Sequence, residues 1–244
     1  MKITQVLFGL TLAFLLAAGA NAAKVTIKSN CPRTIWPATL TGDNKAQLST
    51  TGFKLSKGQS RSVVLPAPWS GRFWARTRCS TDASGKFTCI TGDCGSGKVE
   101  CNGKSGAPPA TLVEITIAKN SGQDFYDVSN VDGFNVPVSV VPQGGTGDCK
   151  KSSCPTNSIN TDCQAKFQVK DGSEVVGCKS ACTVFNTDRY CCRNAYGTAK
   201  TCPPTDYSRF FEKRCPLAYS YAYDDKNSTF TCFSRPDYLI TFCP

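Results

Sequence analysis

Residues 85–101 read GKFTCITGDCGSGKVEC, with Cys89, Cys94 and Cys101 spaced by glycines and one aspartate, Asp93. Metal ligation, thiol–disulfide exchange and structural bridging all use cysteines at such close spacing. The rest of the chain separates them. It carries 16 cysteines and no histidine in 244 residues. It begins with Lys2, an apolar run from Val6 to Ala18 and the small-residue triplet Ala20-Asn21-Ala22. Together these read as a secretory signal peptide over 1–22, cut after Ala22. The run is shorter than the ~20 residues of a membrane span. Every cysteine lies beyond the leader, and an even, dense set in a secreted chain predicts a disulfide framework. An all-thiolate zinc site would have to escape oxidation on the way out of the cell. No C-x-x-C redox motif is present; Cys191-Cys192 are adjacent. The stretch therefore staples a loop, its glycines allowing tight turns, and neither metal nor cofactor is expected. Asp93 reads as a turn former in that loop.

Loss of Lys2 with the leader leaves 27 basic and 18 acidic residues, a net charge of +9 on a mature chain of 222 residues (244 minus 22). That length can hold a substantial core. The basic residues are scattered without a run or arm, which argues for a solvated cationic surface and against nucleic-acid binding. Such a surface is drawn to anionic membranes and acidic wall polymers.

From Lys24 onward the segments KVTIKSNC, RSVVLPAP, TLVEITI, VDGFNVPVSVVP and FTCFSRPDYLITFCP are strand-length, rich in Val, Ile and Thr, and bounded by turn residues. No long segment has a 3.6-residue apolar period. The prediction is a mainly β protein, a sandwich or barrel. After Pro142 the composition changes: nine of the 16 cysteines fall between Cys149 and Cys215. That region reads as a loop-rich, disulfide-held lobe, with short helices expected in SACTVFNTDRYCC (180–192) and TDYSRFFEKRC (205–215).

The opening stretch, taken with SGRFWART (70–77), TLVEITI (111–117), DFYDVSNVDGFNVPV (124–138), YCC (190–192), RCPLAYSYAYDD (214–225), STFTC (228–232) and the terminal FCP, resembles the thaumatin family. That family is the fifth group of plant pathogenesis-related proteins, and the likeness spans the mature chain. It implies a flattened two-sheet β-sandwich with two disulfide-rich lobes and eight disulfides. A thaumatin-like domain over 23–244 is expected, with a sandwich core from 23–77, 107–148 and 216–244. A small stapled loop lobe covers 78–106 and a disulfide-rich lobe 149–215. By family order the pairs are Cys31–Cys243, Cys79–Cys89, Cys94–Cys101, Cys149–Cys232, Cys154–Cys215, Cys163–Cys178, Cys182–Cys191 and Cys192–Cys202.

The resemblance also implies a polar cleft of Arg72, Glu114, Asp127, Asp132 and Asp225, the last preferred over Asp224, with the stapled loop walling it. Four carboxylates around one guanidinium predict raised carboxyl pKa values through crowding, with Arg72 as the shared counter-ion. Asp127 and Asp132 would face opposite sides of a regular strand, but the sequence between them and Gly133 suggest a bend that reunites them. Carboxylates accept hydrogen bonds from sugar hydroxyls. Phe125, Tyr126 and Phe134 flank the acidic positions, and Tyr219, Tyr221 and Tyr223 alternate as along a strand. The resemblance thus implies a secreted, extracellular (apoplastic) antifungal defence protein, monomeric, that binds β-1,3-glucan or another wall polysaccharide. Its cationic surface would also meet anionic fungal membranes. Two alternatives are a weak endo-β-1,3-glucanase using Glu114 and Asp132, and an inhibitor of a microbial hydrolase such as a xylanase.

Overall fold

The structure, a computed structural model, describes residues 22–42 and 45–244. The expected leader lies outside them except for Ala22, which opens the first strand opposite Pro66. No described helix is long and apolar enough to cross a membrane.

The described residues form thirteen strands: β1 Ala22–Ser29, β2 Trp36–Thr41, β3 Ser60–Pro66, β4 Trp69–Thr81, β5 Phe87–Thr91, β6 Leu112–Ile117, β7 Asp124–Ser129, β8 Val138–Gln143, β9 Ser152–Cys154, β10 Gln168–Asp171, β11 Glu174–Cys178, β12 Phe230–Cys232 and β13 Asp237–Phe242. One sheet has the order β3-β1-β13-β8-β9, and the other β12-β7-β6-β4-β2, with β5 added along the far end of β4. The hairpin β10–β11 stands apart. Fold class and strand positions agree with the alternation in the sequence. In β1, Val25 and Ile27 are fully buried while Lys24 and Lys28 face solvent. In β6, Val113, Ile115 and Ile117 enter the core, which leaves Leu112, Glu114 and Thr116 on the opposite face, as a period of two requires.

The space between the sheets is filled by Val25, Ile27, Ile240 and Phe242 from one side and Phe73, Val113, Ile115 and Val128 from the other. Ile159, Phe167 and Phe211 join the same core from the cysteine-rich region, which therefore leans on the sandwich instead of building an independent core. Its short helices occupy Ala181–Phe185 and Asp206–Glu212, within the two segments expected. The first is capped by the Ser180 hydroxyl, which accepts from the Thr183 N–H. The second starts with a capping box between Thr205 and Ser208.

Eight disulfides are formed, and no described cysteine is free. They join Cys31–Cys243, Cys79–Cys89, Cys94–Cys101 and Cys149–Cys232. The others are Cys154–Cys215, Cys163–Cys178, Cys182–Cys191 and Cys192–Cys202. The pairing of distant cysteines follows from strand register. β1 and β13 run parallel with Ser29 beside Phe242, so Cys31 and Cys243 emerge together although 212 residues separate them.

Two expectations are corrected. Tyr219, Tyr221 and Tyr223 do not lie on a strand. The segment is a series of bends that meets β9 at one residue, Leu217 opposite Ser153, and the end of β7 at another, Tyr219 beside Ser129, and then turns at 221–224, so no ladder continues. The stapled loop supplies none of the residues lining the cleft described below. It folds instead over one end of the second sheet's outer face. There Ala38, Trp74, Cys94, Cys101, Ala110 and Leu112 form a small core of their own. The Trp74 indole N–H donates to the Gly92 carbonyl at 2.8 Å. Asp93 performs turn chemistry, accepting from the Cys89 and Gly95 N–H groups at 2.5 Å each.

Candidate functional site

The outer face of the second sheet carries the charged positions because of strand register. Arg72 on β4 lies directly opposite Glu114 on β6, and Glu114 lies opposite Asp127 on β7. Directly opposed residues in antiparallel strands keep their Cβ atoms about 5 Å apart on one face. The three form a single rung across the middle of the sheet.

Asp132 reaches the same place through a turn. β7 ends at Ser129, and the Gly133 N–H donates to the Asn130 carbonyl at 2.8 Å. Gly133 has φ +87°, and a Cβ there would lie 2.5 Å from the Cys178 carbonyl oxygen, so the bend requires glycine. Asp225 comes from the first turn of the helix Asp225–Ser228 and accepts from the Tyr219 hydroxyl at 2.8 Å. Its neighbour Asp224 is turned to a structural task, accepting from the Ser220 N–H at 3.0 Å and hydroxyl at 2.7 Å.

All five expected positions line one cleft of about 400 Å³, together with Leu112, Ser129 and Tyr219. A second cavity of about 280 Å³ shares Arg72, Glu114 and Asp127 with it and continues over Ser70, Thr116 and Phe125. Of the flanking aromatics, Tyr126 and Phe134 are core residues, whereas Phe125 is 45% exposed.

The cleft is electrostatically tense. Burial pushes the Asp127 carboxyl well above the usual carboxylate range, and the charges of Glu114 and Asp225 add to the effect. Asp127 Oδ1 is buried and has no hydrogen-bond partner among the described residues. Burial also raises Glu114, against the pull of Arg72 and with a push from Asp132. Asp132 is raised by burial and drawn back by Arg72. Desolvation thus outranks the crowding expected from the sequence. The role expected of Arg72 also changes. It makes no ion pair within 4.0 Å among the described residues, and acts on Glu114 and Asp132 through its field.

A pH dependence follows. Carboxyls raised in the folded state retain protons that the unfolded chain releases, so they favour the fold most below the unfolded carboxyl pKa of about 4. That contribution is lost as pH rises through the higher folded values of Glu114, Asp127 and Asp132. Asp127→Asn is expected to raise the midpoint of thermal unfolding at neutral pH and to flatten its decline between mildly acidic and neutral buffer. Parallel melting curves for parent and variant at every pH would contradict this.

A two-sheet sandwich braced by eight bridges, with a half-buried charged rung on one sheet, defines a disulfide-stapled protein with an open acidic cleft. The family model described as the Thaumatin family matches residues 29–244, and the chain belongs to that family. It is 68% identical over 240 residues to "Thaumatin-like protein 1a" of Malus domestica, covering 98% of this chain and 97% of that one. It is 58% identical over 246 residues to a Prunus avium protein named "Glucan endo-1,3-beta-glucosidase", with 100% of both chains covered. Among solved structures, a laminaripentaose-producing beta-1,3-glucanase in complex with laminaritetraose is similar with a TM-score of 0.60. It covers 92% of this chain and 99% of its own at 12% identity, a likeness of fold alone.

The residue that sequence reasoning missed is Arg76. It lies four positions along β4 from Arg72, hence on the same face, yet it is only 1% exposed. The signal available was its place at the end of the apolar run FWA.

Proposed function

We propose that this protein is a secreted, extracellular defence protein that binds β-1,3-glucan of fungal walls in the acidic cleft and is thereby antifungal. One observation carries the reading. The side chains of Glu114, Asp127 and Asp132 line an open cleft, and Asp127 Oδ1 is left without a donor among the described residues. An uncharged, hydroxyl-rich ligand supplies such donors without bringing a desolvation penalty of its own charge. The leader in the sequence and the relative named for glucan hydrolysis support the same assignment. The net positive surface adds attraction to anionic fungal membranes and wall polymers.

Glu114→Gln with Asp132→Asn is expected to lower retention on insoluble β-1,3-glucan about tenfold or more, since each lost charge-assisted hydrogen bond is worth about 1.5–3 kcal/mol. Unchanged retention would refute the reading. If the parent ignored glucan but silenced a microbial hydrolase such as a xylanase on mixing, the inhibitor alternative would replace it.

A second reading is slow endo-β-1,3-glucanase activity. It is favoured by carboxyl groups at Glu114 and Asp132 that hold protons above the usual range, as a general acid must. Release of reducing ends from a linear glucan by the parent, lost in the same double variant while binding persists, would establish it.

A further inference from the structure

Resting on the glucan-binding reading, we infer that the cleft continues as a second, uncharged subsite whose floor is Phe125, so that the site takes a chain of several sugar units. The strand register places it. One step of two residues from the charged rung, Ser70 lies opposite Thr116, Thr116 opposite Phe125, and Phe125 opposite Thr231. Two residues along a strand advance about 7 Å, so this neutral rung lies one step beyond the carboxylates on the same face.

The step in the opposite direction leads to Trp74 and Leu112, which are 0% and 5% exposed beneath the stapled loop. On β4 the outer face is therefore closed beyond Arg72 by the stapled loop, and a ligand seated in the acidic cleft continues past the charged rung over Phe125. The open end has its own volume, about 280 Å³, continuous with the acidic cleft through Arg72, Glu114 and Asp127.

The chemistry of this rung differs from that of the first. It contains no ionisable group. The Ser70 and Thr116 hydroxyls hydrogen-bond to each other at 3.0 Å at the surface and can both donate and accept. Phe125 is 45% exposed, although it stands beside Tyr126, whose ring is buried against Phe230 and Tyr238. An exposed ring next to paired hydroxyls suits a pyranose, which presents an apolar face of C–H groups with hydroxyls around its edge. It does not suit an anion or a charged peptide. The acidic cleft holds the units at one end of the chain by their hydroxyls, and the neutral rung carries the units that follow by contact area.

The test is isothermal titration of the secreted protein with a linear β-1,3-linked trisaccharide and hexasaccharide. Parent protein is expected to bind the hexasaccharide more tightly than the trisaccharide. Covering about 50 Å² of the Phe125 face at roughly 25 cal/mol/Å² corresponds to about tenfold in affinity. Phe125→Ala should lose that factor for the hexasaccharide and bring the two ligands close together, while Phe125→Trp keeps the preference. A Phe125→Ala variant that retains the full length preference would overturn the subsite and leave the acidic cleft as the binding site. Failure of the parent to bind either sugar would overturn the glucan reading and the subsite with it. Because the ring is half exposed, the alanine variant should retain the parent's thermal midpoint closely enough for the comparison.

Discussion

Replacement of Arg76 by alanine is expected to cost about 3–5 kcal/mol of stability, from two carbonyls left without a donor and the packing lost with the side chain. The guanidinium is sealed between β4 and the stapled loop. Its Nε donates to the Trp36 carbonyl at 3.1 Å, and one terminal nitrogen donates to the Val99 carbonyl at 2.5 Å. The other lies 3.6 Å from Cys94 Sγ, and the Phe87 ring covers the group at 5.3 Å. Burial pushes its pKa down to about 10, with Asp93 and Glu100 opposing the shift, so it remains charged at neutral pH. Truncation would strand two carbonyls, each costing about 1–3 kcal/mol, and leave a void beneath Phe87. Denaturant unfolding measures the loss. Arg76→Met separates the causes, since it refills most of the volume but supplies no donor; it should recover only part of the deficit. A loss below about 1 kcal/mol for the alanine variant would place it among ordinary surface substitutions and refute the role assigned to Arg76.

Reduction of the disulfides is expected to remove residues 149–215 from the protein's single cooperative unfolding transition. The elements there cannot support themselves. The helices there, Ser158–Thr161, Ala181–Phe185, Asp188–Cys191 and Asp206–Glu212, run from four to seven residues, well below the ~12–15 at which an isolated helix becomes marginal. The one hairpin has strands of four and five residues. Cys163–Cys178, Cys182–Cys191 and Cys192–Cys202 close loops inside this segment, Cys149–Cys232 moors its start to β12, and Cys154–Cys215 ties its end to β9 of the first sheet. Each bridge typically contributes about 2–4 kcal/mol. The denatured, unreduced protein should titrate no thiol. After reduction, amide exchange should become fast across 149–215 while the strands of the sandwich remain slower. A reduced protein with its original single transition would show that packing against Phe167 and Phe211 suffices without the bridges.

Much of this molecule is legible along the chain. Alternation at β1 and β6 marks which side chains enter the core, since a strand sends successive residues to opposite faces regardless of its neighbours. The density of cysteines without histidine separates bridging from zinc binding. The pairings and the five cleft positions were accessible only through family resemblance, because 16 cysteines do not pair by local rule.

Tertiary structure decided the rest. Glu114 and Asp127 become neighbours through the register of β6 against β7, and Asp132 joins them because the chain bends at Gly133. The alternating tyrosines failed as a strand for the converse reason: their segment touches β7 and β9 at single residues only, and a period of two has no effect without a continuous ladder. Arg72 and Arg76 show the division most clearly. They stand four residues apart on one face of β4. Arg72 opens onto the cleft and makes no close ion pair among the described residues, while Arg76 is buried under the stapled loop with a lowered pKa. Strand periodicity assigned both to the same face. What packs onto that face, a loop held in place by Cys94–Cys101, made one a structural tie and left the other at the site.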